Sequence, residues 1–420
     1  MIRLTELKVQ GYRALADFHA KLGPLTAIVG PNASGKSTVL EVLELASEAV
    51  KEGTVGDAIA RRGGSDSVLW RGGHGWGFQM YLSLECDDRG PHAAMVYQFT
   101  VGRDEHTSEL RVRTESLIHT PRTQGQTARI ELVDFTLGRG LVRSIHTGRE
   151  SSPPGELPPD QLALSRFRDP VDFQEHDQVR ECISSWRFYP PFDVGSGTRI
   201  RQAYRLGSDA TRDEQLAADG RNLAGVLSRL RSTASFGDNF AELEEMCRVG
   251  FAEFKSVGTR RSPSGIEEVV EWVEQAAGHE EEAFLAWDLS DGILRFLCLA
   301  VLCMSPNPPR LVGIDEPELG LHPRLLPIVA AMLRGLSERT QVIVLTHSPE
   351  LLNGFELDEI AVMSKDETGA HLHRPADSKV LRALLEPTVG ETIGGLFTSG
   401  ELEFPPEPAE AASAAGERNE

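Results

Sequence analysis

The chain has 420 residues, of which 40% are hydrophobic and 25% charged, and its formal net charge at pH 7 is −20. This composition is typical of a globular protein with one large domain or two to three ordinary ones. The acidic balance argues against a generally basic nucleic-acid-binding surface, although it leaves room for a local basic patch.

No part of the chain has the length or polarity of a membrane or export segment. The longest apolar stretch, Ile293–Met304, contains Arg295 and is shorter than the roughly 20 residues that a membrane helix needs. Residues 1–15 lack the apolar core and the cleavage site of a signal peptide. We therefore expect a cytoplasmic protein without a membrane partner. Its five cysteines, irregularly spaced and without a CxxC pair, are expected to be reduced and mostly buried.

The N-terminal part of the chain predicts strands around one helix. Residues 1–10 alternate between apolar and polar, 25–29 (LTAIV) fit a short buried strand, and the apolar positions of 36–50 fit a helix. Strand-like segments separated by turns rich in Gly, Asp and Arg then indicate an antiparallel sheet, over residues 77–86, 94–102, 109–118 and 128–137. Residues 147–162, rich in Pro, Gly and Ser, are expected to form an exposed loop.

The C-terminal part predicts alternating helices and strands. The pattern is helical around 213–257, and the segment 266–287 fits a helix or a strand equally well. The later predictions are helix 292–304, strand 311–315, helix 324–336, strand 341–346, strand 358–364 and a short helix near 378–386. The acidic, Pro/Ala-rich tail 401–420 is expected to be disordered. No heptad run is long enough for a coiled-coil arm.

Residues 30–38, GPNASGKST, match the phosphate-binding pattern GxxxxGK[ST] and stand between a buried strand and a helix. The glycines allow backbone N–H groups to converge on phosphate oxygens at the start of a helix. Lys36 would span the β- and γ-phosphates, and the Ser37 hydroxyl would bind Mg²⁺. The sequence therefore predicts a nucleotide site formed by Gly30, Pro31, Asn32, Ala33, Ser34, Gly35, Lys36, Ser37 and Thr38.

Two further strands end in residues suited to ATP hydrolysis. Asp315 closes an apolar strand and could hold Mg²⁺ through water, and Glu316 could orient and deprotonate the attacking water. His347 follows the next buried strand and would lie at the same sheet edge, where a parallel α/β sheet collects its ligands. We expect His347 to sense the γ-phosphate. A surface Asp-Glu turn and a structural histidine are the alternatives.

The stretch LSDGILR, residues 289–295, fits an ordinary helix start capped by Ser290. It also fits a device that grips a phosphate, because a helix N-terminus attracts anions. The order of motifs along the chain resembles that of ABC-type ATPases. The motifs themselves are similar to those of the RecF/SMC/OLD-like branch, often called AAA family ATPases, and the similarity extends over about half of the chain. The segments that carry it are GYRAL, GPNASGKST, LSDGILR, IDEPELGLHP and LTHSPELL.

The resemblance implies an α/β fold: a P-loop NTPase of the ABC-type ATPase head class, with an N-terminal antiparallel β region, a central parallel sheet flanked by helices, and a helical insertion. Both ends of the chain would build the head, from an N-lobe of about 1–145, an inserted linker and helical lobe of about 146–288, and a C-lobe of about 289–400.

The resemblance also implies that two heads dimerise head-to-tail around two ATP molecules. Ser290 and Gly292 would then contact the γ-phosphate held by the partner, Asp315 and Ser37 would serve Mg²⁺, and Lys36, Glu316 and His347 would be catalytic. Arg13 matches an arginine near the nucleotide in repair-type heads.

Some features depart from the pattern or restrict it. The stretch LSDG, residues 289–292, takes the place of the signature motif of ABC-type ATPases. It is followed by Ile293, where transporters have Gln. Gln79 is a weak candidate for the glutamine of the Q-loop; the alternative is that it is an ordinary strand residue. The stretch after residue 366 is too short for the Toprim domain of OLD nucleases and has no DxD pair. A P-loop kinase is disfavoured because Glu316 and His347 complete a hydrolytic set, and a GTPase lacks support because no [NT]KxD motif occurs.

The work done by such an ATP-gated switch or clamp has two interpretations. In one, it acts on DNA in repair, recombination or chromosome maintenance, and basic side chains contact phosphates; the candidates are Arg199, Arg201, Arg205, Arg229 and Arg231. In the other, the ATPase is a sensor or scaffold that controls a separately encoded effector, a nuclease or toxin, in phage defence. A solvated charged face is the simpler alternative for each of these arginines.

Overall fold

The computed structural model describes residues 2–52, 54–72, 76–86, 93–104, 109–120, 129–169, 171–205, 215–385 and 390–402. The chain divides into two compact units. The first unit consists of Met1–Trp186 and Ala361–Asp377, and the second of Arg187–Ile360 and the chain from Ser378 onward.

The strands in the described residues are β1 (Ile2–Tyr12), β2 (Leu15–Lys21), β3 (Leu25–Val29), β4 (Gly77–Cys86), β5 (Ala93–Arg103), β6 (Leu110–Thr120), β7 (Ile130–Thr136), β8 (Arg139–Arg143), β9 (Glu150–Ser151), β10 (Arg187–Tyr189), β11 (Tyr204–Arg205), β12 (Phe254–Arg261), β13 (Glu267–Glu274), β14 (Glu282–Leu285), β15 (Leu311–Asp315), β16 (Gln341–Leu345), β17 (Ile360–Asp366) and β18 (Gly369–His373). The α-helices are α1 (Lys36–Glu52), α2 (Val55–Ala60), α3 (Ser65–Val68), α4 (Ala163–Arg166), α5 (Gln174–Ser184), α6 (Leu223–Ser232), α7 (Gly237–Gly250), α8 (Asp291–Cys303), α9 (Leu326–Ser337), α10 (Pro349–Leu352), α11 (Lys379–Leu384) and α12 (Ile393–Thr398).

The first unit contains an eight-stranded antiparallel sheet in the order β2-β1-β4-β5-β6-β7-β8-β9. Buried and exposed positions alternate along its strands because one face packs on the core; in β2, Phe18 and Ala20 are buried, whereas His19 and Lys21 are exposed. Tyr97, Phe99 and Phe78 form a chain of ring contacts on that face. The predicted antiparallel β region is confirmed.

The strand–loop–helix unit around residues 30–38 also agrees with its prediction. All five residues of β3 are buried, as the uninterrupted apolar run LTAIV indicates. The apolar positions that favour a helix are buried on α1, namely Val39, Leu40, Val42, Leu43, Leu45 and Ala46. Later in the chain, β17 and β18 form an antiparallel pair in which Met363 lies opposite Leu372.

Residues 147–162 are mostly exposed, as predicted, but the segment contains the short strand β9 and is anchored to the protein near its end. Leu157 and Leu162 are buried, and the carbonyl oxygens of Pro159 and Asp160 accept hydrogen bonds from Val112 and Val55 at 2.7 and 2.8 Å. Prolines lack an N–H but keep a carbonyl acceptor, so a Pro-rich segment can still pack along a sheet. The short helices α4 and α5, which follow it, were not predicted.

In the second unit, β10, β15 and β16 are parallel, with Leu311 opposite Gln341 and Arg187 opposite Val312. Parallel strands covered on both faces are apolar throughout, which explains the runs LVGID and QVIVL. The predicted strands 311–315 and 341–346 are confirmed. All residues of α8 from Phe296 to Cys303 are buried, whereas α9 buries one apolar side. The helix α9 begins after a 3₁₀ turn at Pro323–Leu325.

The insertion is not purely helical, so that part of the predicted fold is corrected. The helices α6 and α7 lie in the predicted helical region, but α7 ends at Gly250 and a sheet follows, in the order β11-β13-β12 with β14 paired to β13. Three valines and Trp272 alternate with or adjoin glutamates in β13, and β-branched and aromatic side chains favour a pleated surface. Trp272 is fully buried against Phe251 and Phe254.

Several predictions concern the remaining parts of the chain. Cys182, Cys247, Cys298 and Cys303 are buried free thiols, as expected. Residues 403–420, most of the tail predicted to be disordered, lie outside the described residues. Among the helices of the described residues, none combines the length and the apolar character needed to cross a membrane. The lobe boundaries near 145, 288 and 400 stay a prediction.

Candidate functional site

The loop between β3 and α1 has the backbone shape of an anion-binding concavity. Gly30, Ala33 and Gly35 have φ values of 145°, 63° and 102°, so left-handed positions alternate with ordinary ones along the loop. Such alternation turns successive N–H groups toward one point. A Cβ on Gly30 would overlap the carbonyl oxygen of Met363, so glycine is required there by space as well as by its dihedral angle.

Lys36 lies at the first position of α1, and its side chain is folded over the same loop. Its Nζ donates hydrogen bonds of 2.8 Å to the carbonyl oxygens of Gly30 and Pro31, and the residue is only 6% exposed. Asn32 and Ser37 are exposed, while the buried hydroxyl of Ser34 has no hydrogen-bond partner among the described residues. A desolvated ammonium group and backbone N–H groups at a helix start suit a polyphosphate.

Arg13 lies in a tight turn with φ of 44°, and its guanidinium contacts protein groups on several sides. It forms an ion pair with Glu41 of α1 and donates to the carbonyl oxygens of Ser67 at 3.1 Å and Arg62 at 3.2 Å. The hydroxyl of Tyr12 donates to the same Glu41 at 2.8 Å. These contacts connect the turn to the helix that follows the phosphate-binding loop. The nucleotide contact of Arg13 stays a prediction.

The second unit brings Glu316 and His347 together. Asp315 ends β15 opposite Leu345 of β16, and the N–H of Glu316 donates to the Leu345 carbonyl oxygen at 2.9 Å. Glu316 has a φ of 47°, a left-handed conformation that is costly for a residue with a side chain and that recurs at functional sites. Its Oε1 lies 3.9 Å from Nε2 of His347, and both side chains are about one-third exposed, at 39% and 32%.

Glu318 is a further residue of this site that the sequence analysis did not single out. Its Oε1 accepts hydrogen bonds from the Thr346 hydroxyl at 2.7 Å and from the His347 N–H at 2.9 Å. One carboxylate oxygen therefore joins the segment after β15 to the segment after β16. The sequence signal is a second acid, two residues beyond Glu316 in DEPE, but only the contact shows that it holds the histidine segment.

Ser290 caps α8, since its Oγ accepts a hydrogen bond from the Ile293 N–H at 3.3 Å. The interpretation as a helix cap is therefore correct, and it does not exclude a second role. A Cβ on Gly292 would lie 3.4 Å from the Gly320 carbonyl oxygen, so the start of α8 contacts the turn that follows Glu316. One turn later, Arg295 donates to the Phe192 carbonyl oxygen at 3.2 Å, and its guanidinium lies against Gly320.

The prediction that Arg201 belongs to a surface basic patch is wrong. Arg201 is only 8% exposed, and its guanidinium donates to the carbonyl oxygens of Val194 at 2.6 Å, Ala286 at 3.1 Å and Leu289 at 2.6 Å. It also pairs with Asp291, the first residue of α8. A sequence pattern cannot distinguish this arginine from its exposed neighbour Arg199, because both occur in the same polar stretch RIR.

The predicted site residues therefore fall into two groups. The first unit holds the phosphate-binding loop and Arg13, and the second unit holds Ser290, Gly292, Asp315, Glu316 and His347. Within the second group, Glu316 and His347 lie within ion-pair distance. The turn at Ser290–Gly292, called the signature turn below, contacts the segment after β15. The first group suits phosphate binding, and the second suits proton abstraction from water beside a polarising side chain.

Solved structures with a similar fold are Smc heads. The SmcHead bound to the C-winged helix domain of ScpA has a TM-score of 0.53 and 14% identity, covering 88% of this chain and 96% of that chain. The Smc head domain bound to the C-terminal domain of ScpA, from Pyrococcus furiosus, has a TM-score of 0.50 and 13% identity, covering 91% and 100%. At these identities the likeness concerns the fold, and it confirms the predicted α/β fold of an ABC-type ATPase head.

Two sequence comparisons add the family. The OLD nuclease of Thermus scotoductus is 52% identical over 42 residues, which make up 10% of this chain and only 8% of that protein's length. Residues 25–353 match the family described as "AAA domain, putative AbiEii toxin, Type IV TA system". That match covers more than half of the chain and includes every predicted site residue except Arg13. The chain therefore belongs to this family of AAA domains. The short match to OLD nuclease and the Smc-head fold agree with the resemblance indicated by the sequence motifs.

Proposed function

We propose that this protein binds and hydrolyses ATP and acts as an ATP-gated switch, in which two copies close head-to-tail around two nucleotides. The observation that carries the proposal is the pairing of a complete phosphate-binding loop with a hydrolytic pair, Glu316 and His347, on the same chain. A loop that only bound nucleotide would not need a strained glutamate beside a histidine.

The residues present fit a nucleotide with Mg²⁺. The left-handed residues Ala33 and Gly35 and the buried Lys36 form a concavity for phosphate oxygens, at the N-terminus of a 17-residue helix. The hydroxyl of Ser37 and the carboxylate of Asp315 are hard oxygen ligands of the kind that Mg²⁺ prefers. When bound, Mg²⁺ would neutralise charge on the β- and γ-phosphates.

Glu316 is the proposed general base. Its carboxylate would accept a proton from the attacking water, and the hydrogen bond from its own N–H to Leu345 holds its backbone at the end of the sheet. His347 would place its ring beside that water and the γ-phosphate, and Glu318 holds the backbone of His347 in place. The chemistry requires positioning more than covalent catalysis, as is general for phosphoryl transfer.

Ser290 and Gly292 would complete the site of a second copy. The Ser290 oxygen already accepts the capping hydrogen bond from Ile293, so its own O–H remains able to donate to a phosphate oxygen. Gly292 offers a backbone without a side chain at the start of α8, where the helix dipole favours an anion. The arrangement supports a γ-phosphate contact made in trans.

We favour control of a separately encoded effector as the work of this switch. The description of the family refers to a putative toxin of a type IV toxin–antitoxin system, and a 42-residue segment is 52% identical to a nuclease. Toxins and nucleases are the two kinds of effector considered for this switch. The net charge of −20 and the burial of Arg201 weaken the alternative of a DNA clamp. ATP-dependent, salt-sensitive binding of single- or double-stranded DNA by the pure protein would reverse this preference.

The test of the switch is Glu316→Gln, which keeps the size of the side chain and removes the base. Gel filtration with saturating Mg-ATP should show a dimer, and without nucleotide a monomer, because binding continues while hydrolysis stops. The control is the double variant Glu316→Gln with Lys36→Ala, which should stay monomeric in both conditions. A monomer of Glu316→Gln under saturating Mg-ATP would overturn the sandwich mechanism.

A further inference from the structure

Arg201 lies far from the signature motif in the sequence and next to it in the second unit. Its guanidinium is buried and contacts the segment Ala286–Asp291, immediately before and at the start of α8. Leu289 is the first residue of LSDG, and Asp291 is the third. One side chain therefore contacts the residues on both sides of Ser290, through the carbonyl oxygen of Leu289 and the carboxylate of Asp291.

We infer that Arg201 is the positioning residue of the signature turn: it sets the backbone that presents Ser290 and Gly292 to the phosphate of a second copy. The inference rests on the proposed function, since it assigns a role within the trans site. Arg201 does not touch the nucleotide itself in this arrangement, because its N–H groups are directed to carbonyl oxygens of its own chain.

The physical basis is the geometry of the guanidinium group. It is planar and always charged, and it offers five N–H donors in a fixed fork, so it can hold several acceptors in one relative orientation. Here the acceptors are three backbone carbonyl oxygens, from Val194, Ala286 and Leu289, and the carboxylate of Asp291. A buried charge with these partners is stabilised only while the turn keeps its shape, so loss of the arginine releases the turn.

The position of Arg201 in the chain also fits this role. It lies in the 3₁₀ turn Arg199–Arg201, between β10, which pairs with β15, and β11, which pairs with β13 of the insertion sheet. The strand that ends in Asp315 is therefore connected through β10 to the segment that carries Arg201. The sheet of the insertion and the strand β15 therefore both restrain the segment that carries Arg201.

The test uses Arg201→Met, which keeps much of the side-chain length and removes every donor. Its matched control is Arg199→Met, at the exposed neighbouring arginine of the same turn. Turnover of Arg201→Met should fall on the order of 10- to 100-fold, the cost of displacing a reacting group by about 1 Å, while nucleotide affinity of the protomer stays unchanged. The control should retain wild-type turnover. Asp291→Ala, at the exposed carboxylate, should lose less turnover than Arg201→Met and guards against a folding defect in that variant.

Mixing of variants separates the inference from the proposed function. Lys36→Ala has an intact signature and a defective loop, so mixing it with Ser290→Arg or with Arg201→Met should restore turnover in the mixed dimer. If the mixture of Lys36→Ala with Ser290→Arg regains turnover but the mixture with Arg201→Met or with Asp291→Ala does not, the positioning role of Arg201 is overturned. The proposed contact of Ser290 with the partner's phosphate is then still supported. If neither signature variant is restored, the trans site is overturned and the role of Arg201 with it.

Discussion

In the first unit, the phosphate-binding loop is made by consecutive residues, 30–38, whose backbone angles form the concavity. In the second unit, Ser290, Glu316 and His347 come from separate segments. Glu318 joins the segments of Glu316 and His347, and Arg201 joins the segment of Ser290 to the turn that follows β10. The first arrangement needs local conformation and a few glycines. The second needs the tertiary fold. A single substitution should therefore act locally in the first unit and across several segments in the second.

The largest expected effect concerns the phosphate-binding loop of the first unit. Lys36→Ala removes the ammonium group that is proposed to contact the phosphates and that lies over the loop, so ATP affinity should fall on the order of 10- to 100-fold, while the fold of the unit is retained. Titration with a fluorescent ATP analogue measures the affinity, and circular dichroism checks the fold. Ser290→Arg is the matched comparison from the other unit and should bind the analogue as wild type does. An equal loss of affinity in Ser290→Arg would contradict the expectation that nucleotide affinity of the protomer depends on the first unit alone.

A smaller effect is expected at Glu318, which holds the segment after β16 in the second unit. Glu318→Ala removes the acceptor that holds the Thr346 hydroxyl and the His347 N–H, so kcat should fall about tenfold as the histidine segment loosens. Glu318→Gln keeps an oxygen at the same place and should recover most of the turnover. Steady-state kinetics give the answer, with the KM for ATP expected to stay constant. If Gln and Ala are equally impaired, Glu318 contributes its charge rather than its position.

The smallest effect concerns Glu115, a buried residue that connects β6 to α4 in the first unit. Glu115 is fully buried in β6 and accepts hydrogen bonds from Tyr97 at 2.9 Å and from the backbone N–H groups of Ala163 and Leu164 at the start of α4. Burial raises the pKa of Glu115 from 4.5 to about 7, since it outweighs those hydrogen bonds. At Glu115 the folded state then holds more protons than the unfolded state between about pH 4.5 and 7, so the contribution of this residue to the free energy of unfolding should fall as pH rises through this window.

Urea denaturation at pH 5 and pH 8 measures that slope. Glu115→Gln should lose the part of the slope that the carboxyl contributes, even though the variant is less stable, because an amide cannot accept from all three donors. Glu131→Gln, at an exposed glutamate of the neighbouring strand β7, should keep the wild-type slope. An unchanged slope in Glu115→Gln would show that other groups carry the pH dependence.

The sequence predicted most elements with strong periodicity, such as α1, β15 and β16, because an apolar run or a helical stripe reports burial directly. It did not predict α4 and α5, nor the packing of Leu157, because a Pro-rich segment and short helices have no clear period. The segment 266–287 stayed ambiguous until its pairing was known, since β13 and β14 depend on β12 and on one another.

By itself, the sequence determined the chemistry on offer: a glycine-rich loop with Lys36, an Asp-Glu pair after an apolar strand, a histidine after another, and a helix start at Ser290. Those signals are local, because each depends on residue types at fixed spacing. Only the tertiary structure decided that Arg201 is buried against the signature turn rather than exposed, and that Glu318 holds His347. The reason is physical: a charged side chain looks the same in any polar stretch, and its role depends on which acceptors the fold brings within hydrogen-bond distance.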